Sequence, residues 1–376
     1  AITPDGSKVI SNTASSVRVW DVSTGKSLAV LKGDQDVFLS IAITPDGSKV
    51  ISGSMDSGSM DKTLRVWDIA TGESLAVLEG HQDGVTSIAI TPDGSQAISG
   101  SGDGTLRVWD IATGESLAVL EGHQDGVTSI AITPDGSKVI SGSWDGTVRV
   151  WDINTGESLA ILEGHQGEVA SIAITPDGSK VISGSGDNTL RVWDIATGES
   201  LAVLEGHQGG FLSLAITPDG SQAISGSGDG TLRVWDIATG ESLAVLEGHQ
   251  SWVWSLAITP DGSQAISGSG DGTLRVWDIA TGESLAVLEG HQDAVASIAI
   301  TPDRSKIISG SADGTLRVWP ATWQGWLEVG CNRLRLHSSW VRAPLEPPSE
   351  EREIALEAVR TCERLVWSNE QLTMNN

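Results

Sequence analysis

The dipeptide Trp-Asp returns at a nearly fixed interval through most of this chain of 376 residues. From Trp67 to Trp319 every copy of the tryptophan lies 42 residues after the one before it, and the last copy reads Trp-Pro. The first interval, from Trp20, is 47 residues long because SGSMD occurs twice in succession at 52–61. A period of roughly 20–50 residues indicates small units that stack and bury one another's faces. The repeat therefore decides the architecture.

Each unit reads as four short β-strands. In one unit they are ESLAVLEG at 73–80, VTSIAIT at 85–91, QAISGS at 96–101 and TLRVWD at 105–110. TPDG at 91–94 predicts a type I turn, and GDG at 102–104 a tight turn. A four-stranded unit of this size cannot bury two faces alone. Units arranged radially cover one another's faces and leave only short edges.

These units resemble the WD-repeat β-propeller family. The family's pattern is a Gly-His pair, a strand, a turn, an Asp shortly before Trp, and then Trp-Asp. It stands here as Gly80-His81, Asp103 and Trp109-Asp110, and five further units match it. The resemblance spans residues 1–320 and implies an all-β fold with a single propeller in that range.

The number of blades follows from a second repeated motif. ITPD begins at 2, 43, 90, 132, 174, 216, 258 and 300, which predicts eight blades. Seven blades is the alternative, because that number is commoner in the family. Only seven outer strands of the SLAVL type follow a Trp-Asp, so we expect the eighth blade to be completed by upstream residues or by the tail. The chain opens inside a repeat, without Met, which predicts an N-terminally incomplete fragment.

A histidine, a serine and an aspartate recur in six units in the manner of a hydrolase triad. Six identical catalytic centres in one ring would be peculiar, and the family resemblance implies a buried structural network instead. In that network the Trp N–H donates to Ser, Ser contacts His and His contacts Asp, so that all the buried polar groups have partners. The sequence leaves open whether Ser99 or Ser101 is the strand partner, and we favour Ser99. The expected members are His81, Ser99, Asp103, Trp109, His123, Ser141, Asp145, Trp151, His165, Ser183, Asp187, Trp193, His207, Ser225, Asp229, Trp235, His249, Ser267, Asp271, Trp277, His291, Ser309, Asp313 and Trp319.

Two units depart from the network, and no other motif points to catalysis. Gly33-Asp34 replaces Gly-His in the second unit, and SNTASS at 11–16 carries no Asp in the first. We expect both units to be held less firmly. GSGDGT lacks the lysine and the helix of a phosphate-binding loop, so it predicts a hairpin turn. The sequence predicts no enzyme activity, no cofactor and no metal site.

The copies differ from one another mainly in two places. One is the five residues after GHQ, which read DGVTS, GEVAS, GGFLS, SWVWS or DAVAS, and the other is the residue before the turn Asp. Both places should meet on one rim of the ring, because the His–Asp pair joins them. Drift would spread over all exposed positions and would rarely choose tryptophan, so we predict a partner-binding rim. The predicted rim residues are Trp252, Trp254, Trp144, Leu212, Val37, Leu39, Met60 and Glu168.

Alternation along a strand separates rim residues from core residues. Trp252 and Trp254 are two residues apart, so we expect their side chains to point to one face. Phe38 and Phe211 alternate to the other face, where they are expected to join the core.

The tail at 321–376 loses the repeat and predicts a helical extension. Two amphipathic helices are expected, at 322–336 and 349–367. The tail resembles the C-terminus of large cyanobacterial WD-repeat proteins, in many of which a STAND-type ATPase or a caspase-like protease precedes the propeller. That resemblance implies a propeller that serves as the sensor of a multidomain signalling or defence protein.

Composition restricts the partners. A net charge of −26 argues against nucleic acid and anionic membranes, and no run of 18 apolar residues occurs. Two cysteines, Cys331 and Cys362, predict no disulfide framework and favour the cytoplasm. We therefore expect a non-catalytic recognition scaffold that binds a protein or peptide on its rim. The alternative is an autoinhibitory arm of an upstream ATPase or protease, with an upstream domain of the same polypeptide as its partner.

Overall fold

The repeat units form eight antiparallel β-sheets, one blade for each unit. The computed structural model describes residues 1–13, 16–31, 37–55 and 62–322, together with Gly325 and Cys362. These residues contain 30 strands and almost no helix, so the prediction of an all-β, eight-bladed propeller is confirmed and the seven-blade alternative is wrong. We number the blades 1 to 8 in chain order.

The strands follow one another within each blade in sequence order. In blades 1 to 4 they are β1 (Lys8–Thr13), β2 (Ser16–Asp21), β3 (Ser27–Leu31); β4 (Val37–Ile43), β5 (Lys49–Met55), β6 (Leu64–Asp68), β7 (Ser74–Leu78); β8 (Val85–Ile90), β9 (Gln96–Ser101), β10 (Leu106–Asp110), β11 (Ser116–Leu120); β12 (Val127–Ile132), β13 (Lys138–Ser143), β14 (Val148–Asp152) and β15 (Ser158–Leu162). In blades 5 to 8 they are β16 (Val169–Ile174), β17 (Lys180–Ser185), β18 (Thr189–Asp194), β19 (Ser200–Glu205); β20 (Phe211–Ile216), β21 (Gln222–Ser227), β22 (Leu232–Asp236), β23 (Ser242–Leu246); β24 (Val253–Ile258), β25 (Gln264–Ser269), β26 (Leu274–Asp278), β27 (Ser284–Leu288); β28 (Val295–Ile300), β29 (Lys306–Ser311) and β30 (Leu316–Pro320).

The first strand of a four-stranded blade is its inner strand and the last is its outer strand. Inner strands contact the inner strands of the neighbouring blades, as β8 does with β4 and β12. The outer strand ends the sheet, as β11 does in blade 3. Successive side chains of a strand point to opposite faces of its sheet, so each blade presents two faces.

The core lies between the blades. On blade 3, Leu106, Val108 and Leu120 form one buried face, and they share a cluster with Val127 and Trp151 of blade 4. The same arrangement repeats at the next interfaces along the chain. Each fully buried side chain of this kind contributes about 1.5–3 kcal/mol. A blade thus depends on its neighbours for its apolar burial.

A turn contact repeated from blade to blade shows that the ring closes. A Cβ atom added to Gly94 would lie 3.2 Å from Pro45 Cδ of the preceding blade. The corresponding distance from Gly6 of blade 1 to Pro302 Cδ of blade 8 is 3.1 Å. Ile308 of blade 8 also shares a buried cluster with Val9 and Val22 of blade 1. Blade 1 therefore packs on blade 8 as the other neighbours pack on each other.

The blades at the closure have three strands each. In blade 1 the inner position holds only Ala1 and Ile2: Ile2 forms an isolated bridge with Val9, and Ala1 exchanges backbone hydrogen bonds of 2.9 Å with Ile10. Blade 8 ends with β30, and the described residues provide no outer strand there. The expectation that upstream residues or the tail complete this blade stays a prediction.

Most of the tail lies outside the described residues, and so do the two predicted helices apart from Thr322, Gly325 and Cys362. Cys362 is buried and disulfide-bonded. One disulfide is not a framework, but the cysteine count no longer supports a reducing compartment. Within the described ranges, no helix is long and apolar enough to cross a membrane.

Candidate functional site

The His–Ser–Asp–Trp set of blade 3 forms a continuous chain of hydrogen bonds. His81 Nδ1 lies 3.0 Å from Asp103 Oδ2, and His81 Nε2 lies 2.7 Å from Ser99 Oγ. Trp109 Nε1 donates to the same Ser99 Oγ at 2.8 Å. Ser101 instead donates to the Asp83 carbonyl at 2.9 Å. The structure thus places Ser99, and not Ser101, between the histidine and the tryptophan.

The same geometry recurs around the ring. From blade 4 to blade 8 the His–Asp distances are 2.8–3.0 Å and the His–Ser distances 2.7–2.9 Å. In blades 1 and 2, Trp20 and Trp67 still donate to a serine, Ser11 and Ser52, at 2.9 Å. The Trp–Ser bond is therefore present in blade 2, where Gly33-Asp34 replaces the Gly-His pair.

The protonation states suit a structural role. Burial lowers the pKa of His123, so this imidazole is neutral at pH 7. Burial alone would raise the pKa of Asp145, but hydrogen bonds from the Thr147 hydroxyl and the Gln124 backbone N–H outweigh it and bring the pKa to about 2. The carboxylate accepts from the imidazole, which places the ring proton on Nδ1, and Nε2 then accepts from Ser141. Ser141 is fully buried, so its hydroxyl has no contact with solvent.

An arginine that the sequence argument did not single out explains the glycine of the Gly-His pair. The Arg107 guanidinium lies over the Trp109 ring, with 5.8 Å from Cζ to the ring centroid. A Cβ atom at Gly80 would lie 2.5 Å from Arg107 Nη1, so a side chain there would displace the guanidinium. Arginine occupies this position in every unit, two residues before the repeated tryptophan. That invariance among the copies was the available signal.

The exposed tryptophan pair of blade 7 lies at a β-bulge. Trp252 directly precedes β24, and Trp254 is the bulged residue, because Val253 pairs with Ser269 while Ser255 already pairs with Gly268. The two indole rings contact each other, with centroids 5.4 Å apart and planes tilted by 47°. Trp252 is 51% exposed and Trp254 is 40% exposed, whereas Val253 between them is fully buried.

A third exposed tryptophan belongs to blade 4. Trp144 is 52% exposed and lies in the turn between β13 and β14. Its backbone N–H donates to the Gly126 carbonyl at 2.9 Å. A Cβ atom at Gly126 would lie 2.7 Å from Cε3 of the Trp144 ring. The ring therefore covers a position that only glycine can occupy without displacing it.

The other predicted rim residues differ in how far their side chains are exposed and in whether the structure describes them. Glu168 is exposed and lies over Gly186, where a Cβ atom would be 2.6 Å from Glu168 Cδ. Leu212 occupies the bulge position of blade 6 and is half-buried. Val37 and Leu39 lie in β4, but the structure does not describe their side chains. Met60 lies outside the described residues. Phe211 is buried against His207, with ring centroids 5.0 Å apart, while the side chain of Phe38 is not described.

The three exposed tryptophans of the predicted rim do not lie next to one another. Trp144 of blade 4 and the pair of blade 7 are three blades apart around the ring. At the bulge position of blade 3, the Thr86 hydroxyl donates to the Gly100 carbonyl at 3.0 Å and to the Val127 carbonyl of the next blade. In blade 7 Trp254 takes that position and presents an aromatic ring instead.

The rim also carries carboxylates. Asp83, Asp125 and Asp293 follow the Gly-His-Gln motif in blades 3, 4 and 8, and all three are exposed. Each accepts a hydrogen bond of 2.7 Å from the next backbone N–H. Among the described residues, no group of acidic, histidine or cysteine side chains is arranged to hold a metal ion.

Comparisons with known proteins agree on the fold. Residues 7–195 match the family described as the WDR3 first beta-propeller domain, and 198–236, 240–278 and 282–320 each match the WD domain, G-beta repeat. The crystal structure of the computationally designed Ika8 protein is similar at 39% identity and a TM-score of 0.75, covering 84% of this chain and 93% of that one. The comparison with curated proteins gives no match. These matches do not support the cyanobacterial context or an upstream ATPase or protease.

Proposed function

Because this chain belongs to the WD40 β-propeller family, we propose that it is a non-catalytic recognition scaffold whose rim binds a protein or peptide. Propellers of this family generally act as protein-interaction scaffolds and are typically non-catalytic. One observation carries the proposal for this chain. Trp252 and Trp254 are exposed side by side at two positions where blades 3, 4, 5 and 8 have glycine, alanine, threonine or glutamate.

The area of this pair is large enough to anchor a partner. A tryptophan side chain offers up to about 250 Å², so the exposed fractions of 51% and 40% leave roughly 200 Å² of the pair uncovered. Covering that area corresponds to about 5 kcal/mol before the costs of association. Exposed aromatic clusters of this kind are typical of binding hot spots.

The local backbone accommodates the exposed tryptophans. The bulge at Trp254 is common to the four-stranded blades, and here it lies beside Trp252 while Val253 between them points into the core. Trp144 packs over Gly126, and blades 3 and 6 carry glycine at the same position, at Gly84 and Gly210. The repeat thus already provides the backbone on which a large side chain can be displayed.

Charge favours a basic partner for the polar part of the contact. Asp83, Asp125, Glu168 and Asp293 are exposed at rim positions, and the whole chain carries a net charge of −26. Complementary charge raises the association rate and excludes acidic competitors. The further expectations of a sensor within a larger protein and of a cytoplasmic location stay predictions.

Selection of displayed peptides on the intact chain tests the proposal. Peptides retained by the chain would be titrated against Trp252→Ala/Trp254→Ala, with Trp144→Ala added in a second variant. We expect the double variant to bind at least about 30-fold more weakly, because hot-spot residues contribute about 2 kcal/mol or more.

A relocation variant supplies the matched control. Ala294→Trp/Ala296→Trp, added to the double variant, places two tryptophans at the same positions of the next blade. Recovery of binding in this variant would mean that the peptides recognise any exposed indole. Full binding by the double variant would contradict the proposal, because the peptides would then recognise another surface.

A further inference from the structure

Two carboxylates of the rim face the backbone nitrogen of the residue that follows them. The Gly84 N–H donates to Asp83 Oδ1 at 2.7 Å, and the Gly126 N–H donates to Asp125 Oδ1 at the same distance. Both aspartates are exposed, and no other group in the described part of the chain donates a hydrogen bond to either side chain. Because Cγ is one bond away from Oδ1, a small rotation of the side chain brings Cγ against the nitrogen of the glycine.

The other Asp-Gly steps of the repeat hold the same two groups apart. In the TPDG turn of blade 3, the Gly94 N–H donates to the Thr91 carbonyl at 2.8 Å. The Asp93 carboxylate is bound by the Thr91 hydroxyl and by Ser95, whose hydrogen bonds lower the pKa of Asp93 to about 2. The glycines of these steps whose N–H donates to a backbone carbonyl, at 2.8–3.2 Å, are Gly6, Gly47, Gly94, Gly104, Gly136, Gly146, Gly178, Gly220, Gly230, Gly262, Gly272 and Gly314.

We propose that Asp83 and Asp125 are sites of spontaneous isoaspartate formation, a covalent modification of the rim. Reacting atoms that are held near contact lower the barrier to forming a bond between them. The Gly84 nitrogen attacks Asp83 Cγ, and the new C–N bond closes a succinimide ring. The displaced carboxylate oxygen leaves as water, taking the proton of the nitrogen and one from solvent.

Hydrolysis of the ring completes the isomerisation. Water adds to the carbonyl that was the main-chain carbonyl of Asp83, and the bond between that carbon and the Gly84 nitrogen breaks. The nitrogen regains a proton, and the new carboxylate releases one to solvent. One water leaves and one returns, so the product is an isomer of the same mass, and the reaction needs only solvent.

Blade 8 contains the same geometry with a different following residue. The Ala294 N–H donates to Asp293 Oδ1 at 2.7 Å, as the glycine does in blades 3 and 4. The methyl group of alanine hinders the approach of the nitrogen to Cγ, whereas glycine has no side chain. We therefore expect Asp293 to isomerise more slowly than Asp83 and Asp125.

Isomerisation changes the contacts that hold the rim. The Asp83 main-chain carbonyl accepts from Ser101 Oγ at 2.9 Å, and the corresponding distance in blade 4, from Ser143 Oγ to the Asp125 carbonyl, is 3.0 Å. In isoaspartate this carbonyl becomes a free carboxylate, and the main chain gains one carbon atom before the glycine. In blade 4 that glycine is the one on which the Trp144 ring packs. The modification therefore displaces the rim in blades 3 and 4.

Incubation of the full folded chain for several weeks at neutral pH and body temperature tests the proposal. Electron-transfer fragmentation of tryptic peptides distinguishes isoaspartate from aspartate at each position. The tryptic peptide 66–107 contains both Asp83 and Asp93, and 108–138 contains the corresponding pair of blade 4, so each peptide includes its own reference. We expect isoaspartate at Asp83 to exceed that at Asp93 by about tenfold or more, and the same ratio in blade 4.

The unfolded chain separates the effect of the fold from that of the sequence. Asp83 and Asp93 both precede glycine, so in guanidinium chloride we expect them to isomerise at similar rates. Equal levels at the two positions in the folded chain would overturn the proposal. A ratio that stays the same in the unfolded chain would also overturn it, because the geometry of the fold would then have no part in it.

An exchange of the following residues provides the matched variant. Gly84→Ala/Ala294→Gly moves the Asp-Gly step from blade 3 to blade 8, and Ala294 of the natural chain shows that this position accommodates a Cβ atom. We expect isoaspartate to fall about tenfold at Asp83 and to rise about tenfold at Asp293, with the level at Asp125 unchanged. A variant that keeps its circular dichroism spectrum but not this relocation would contradict the proposal.

Discussion

Replacing Ser267 by alanine measures how firmly the buried network holds a blade. Ser267 Oγ accepts from Trp277 Nε1 at 2.8 Å and lies 2.8 Å from His249 Nε2. Alanine removes both contacts and leaves an indole N–H and an imidazole nitrogen buried without a partner. Each such group costs about 1–3 kcal/mol, so we expect the free energy of unfolding to fall by about 4 kcal/mol.

Blade 2 provides the matched control, because its sequence lacks the histidine. Ser52 is buried, and its Oγ accepts from Trp67 Nε1 at 2.9 Å. Ser52→Ala therefore leaves a single donor, the Trp67 indole N–H, without an acceptor. The free energy of unfolding should fall by about 2 kcal/mol. The remaining difference between the two variants, about 2 kcal/mol, is the share of the histidine contact.

Urea denaturation followed by both tryptophan fluorescence and circular dichroism gives the two free energies. Coincident transitions with an unchanged urea dependence are required before the values are compared, since repeat proteins can lose cooperativity. Equal losses for Ser267→Ala and Ser52→Ala would refute the reasoning. They would mean that the histidine adds nothing to the tryptophan–serine bond.

Three further outcomes follow from the geometry. Burial lowers the pKa of His123, His165, His207 and His249 below 6.5. Below pH 6.5 the unfolded chain binds protons at these histidines that the folded chain does not bind. The free energy of unfolding therefore has its full value above pH 6.5 and falls below it, by up to about 1.4 kcal/mol per pH unit for each histidine. Urea midpoints at pH 7.5, 6.5 and 5.5 measure the decline, and a flat profile would contradict it. Gly126→Ala should displace the Trp144 ring and cost about 1–2 kcal/mol. Its control Gly210→Ala should be near neutral, because the nearest atom to the new Cβ is 3.9 Å away. Amide hydrogen exchange should be faster in residues 8–21 than in 96–110, and equal protection would contradict the weaker hold expected in blade 1.

The fold could be predicted from the sequence because each element carries a local signal that repeats. The spacing of the tryptophans gives the units, and the eight ITPD motifs give the eight blades. The closure contact between Gly6 and Pro302 also follows the repeat, yet only coordinates show that the first and last blades meet. The location of the core between the blades can be predicted as well, because the apolar face of each blade needs the next blade to cover it.

The site could be predicted only in part. Ser99 and Ser101 alternate to the same face of β9, so sequence alone left both open. Their places along the strand distinguish them: Ser99 pairs with Arg107 inside the ladder, whereas Ser101 ends β9. The bulge at Trp254 is likewise invisible to a strict two-residue alternation, although it sets how this ring meets Trp252. The contact of Gly80 with Arg107 was missed because the rim was predicted from positions at which the copies differ, and these two residues are constant among the complete units.

Calorimetric titration of a selected peptide against the wild-type chain and Trp252→Ala/Trp254→Ala tests the central claim most directly. Recognition by the rim predicts that the double variant raises Kd by at least about 30-fold while its urea midpoint stays close to that of the wild type. An unchanged Kd in a folded double variant would contradict the claim that the exposed pair is the recognition surface.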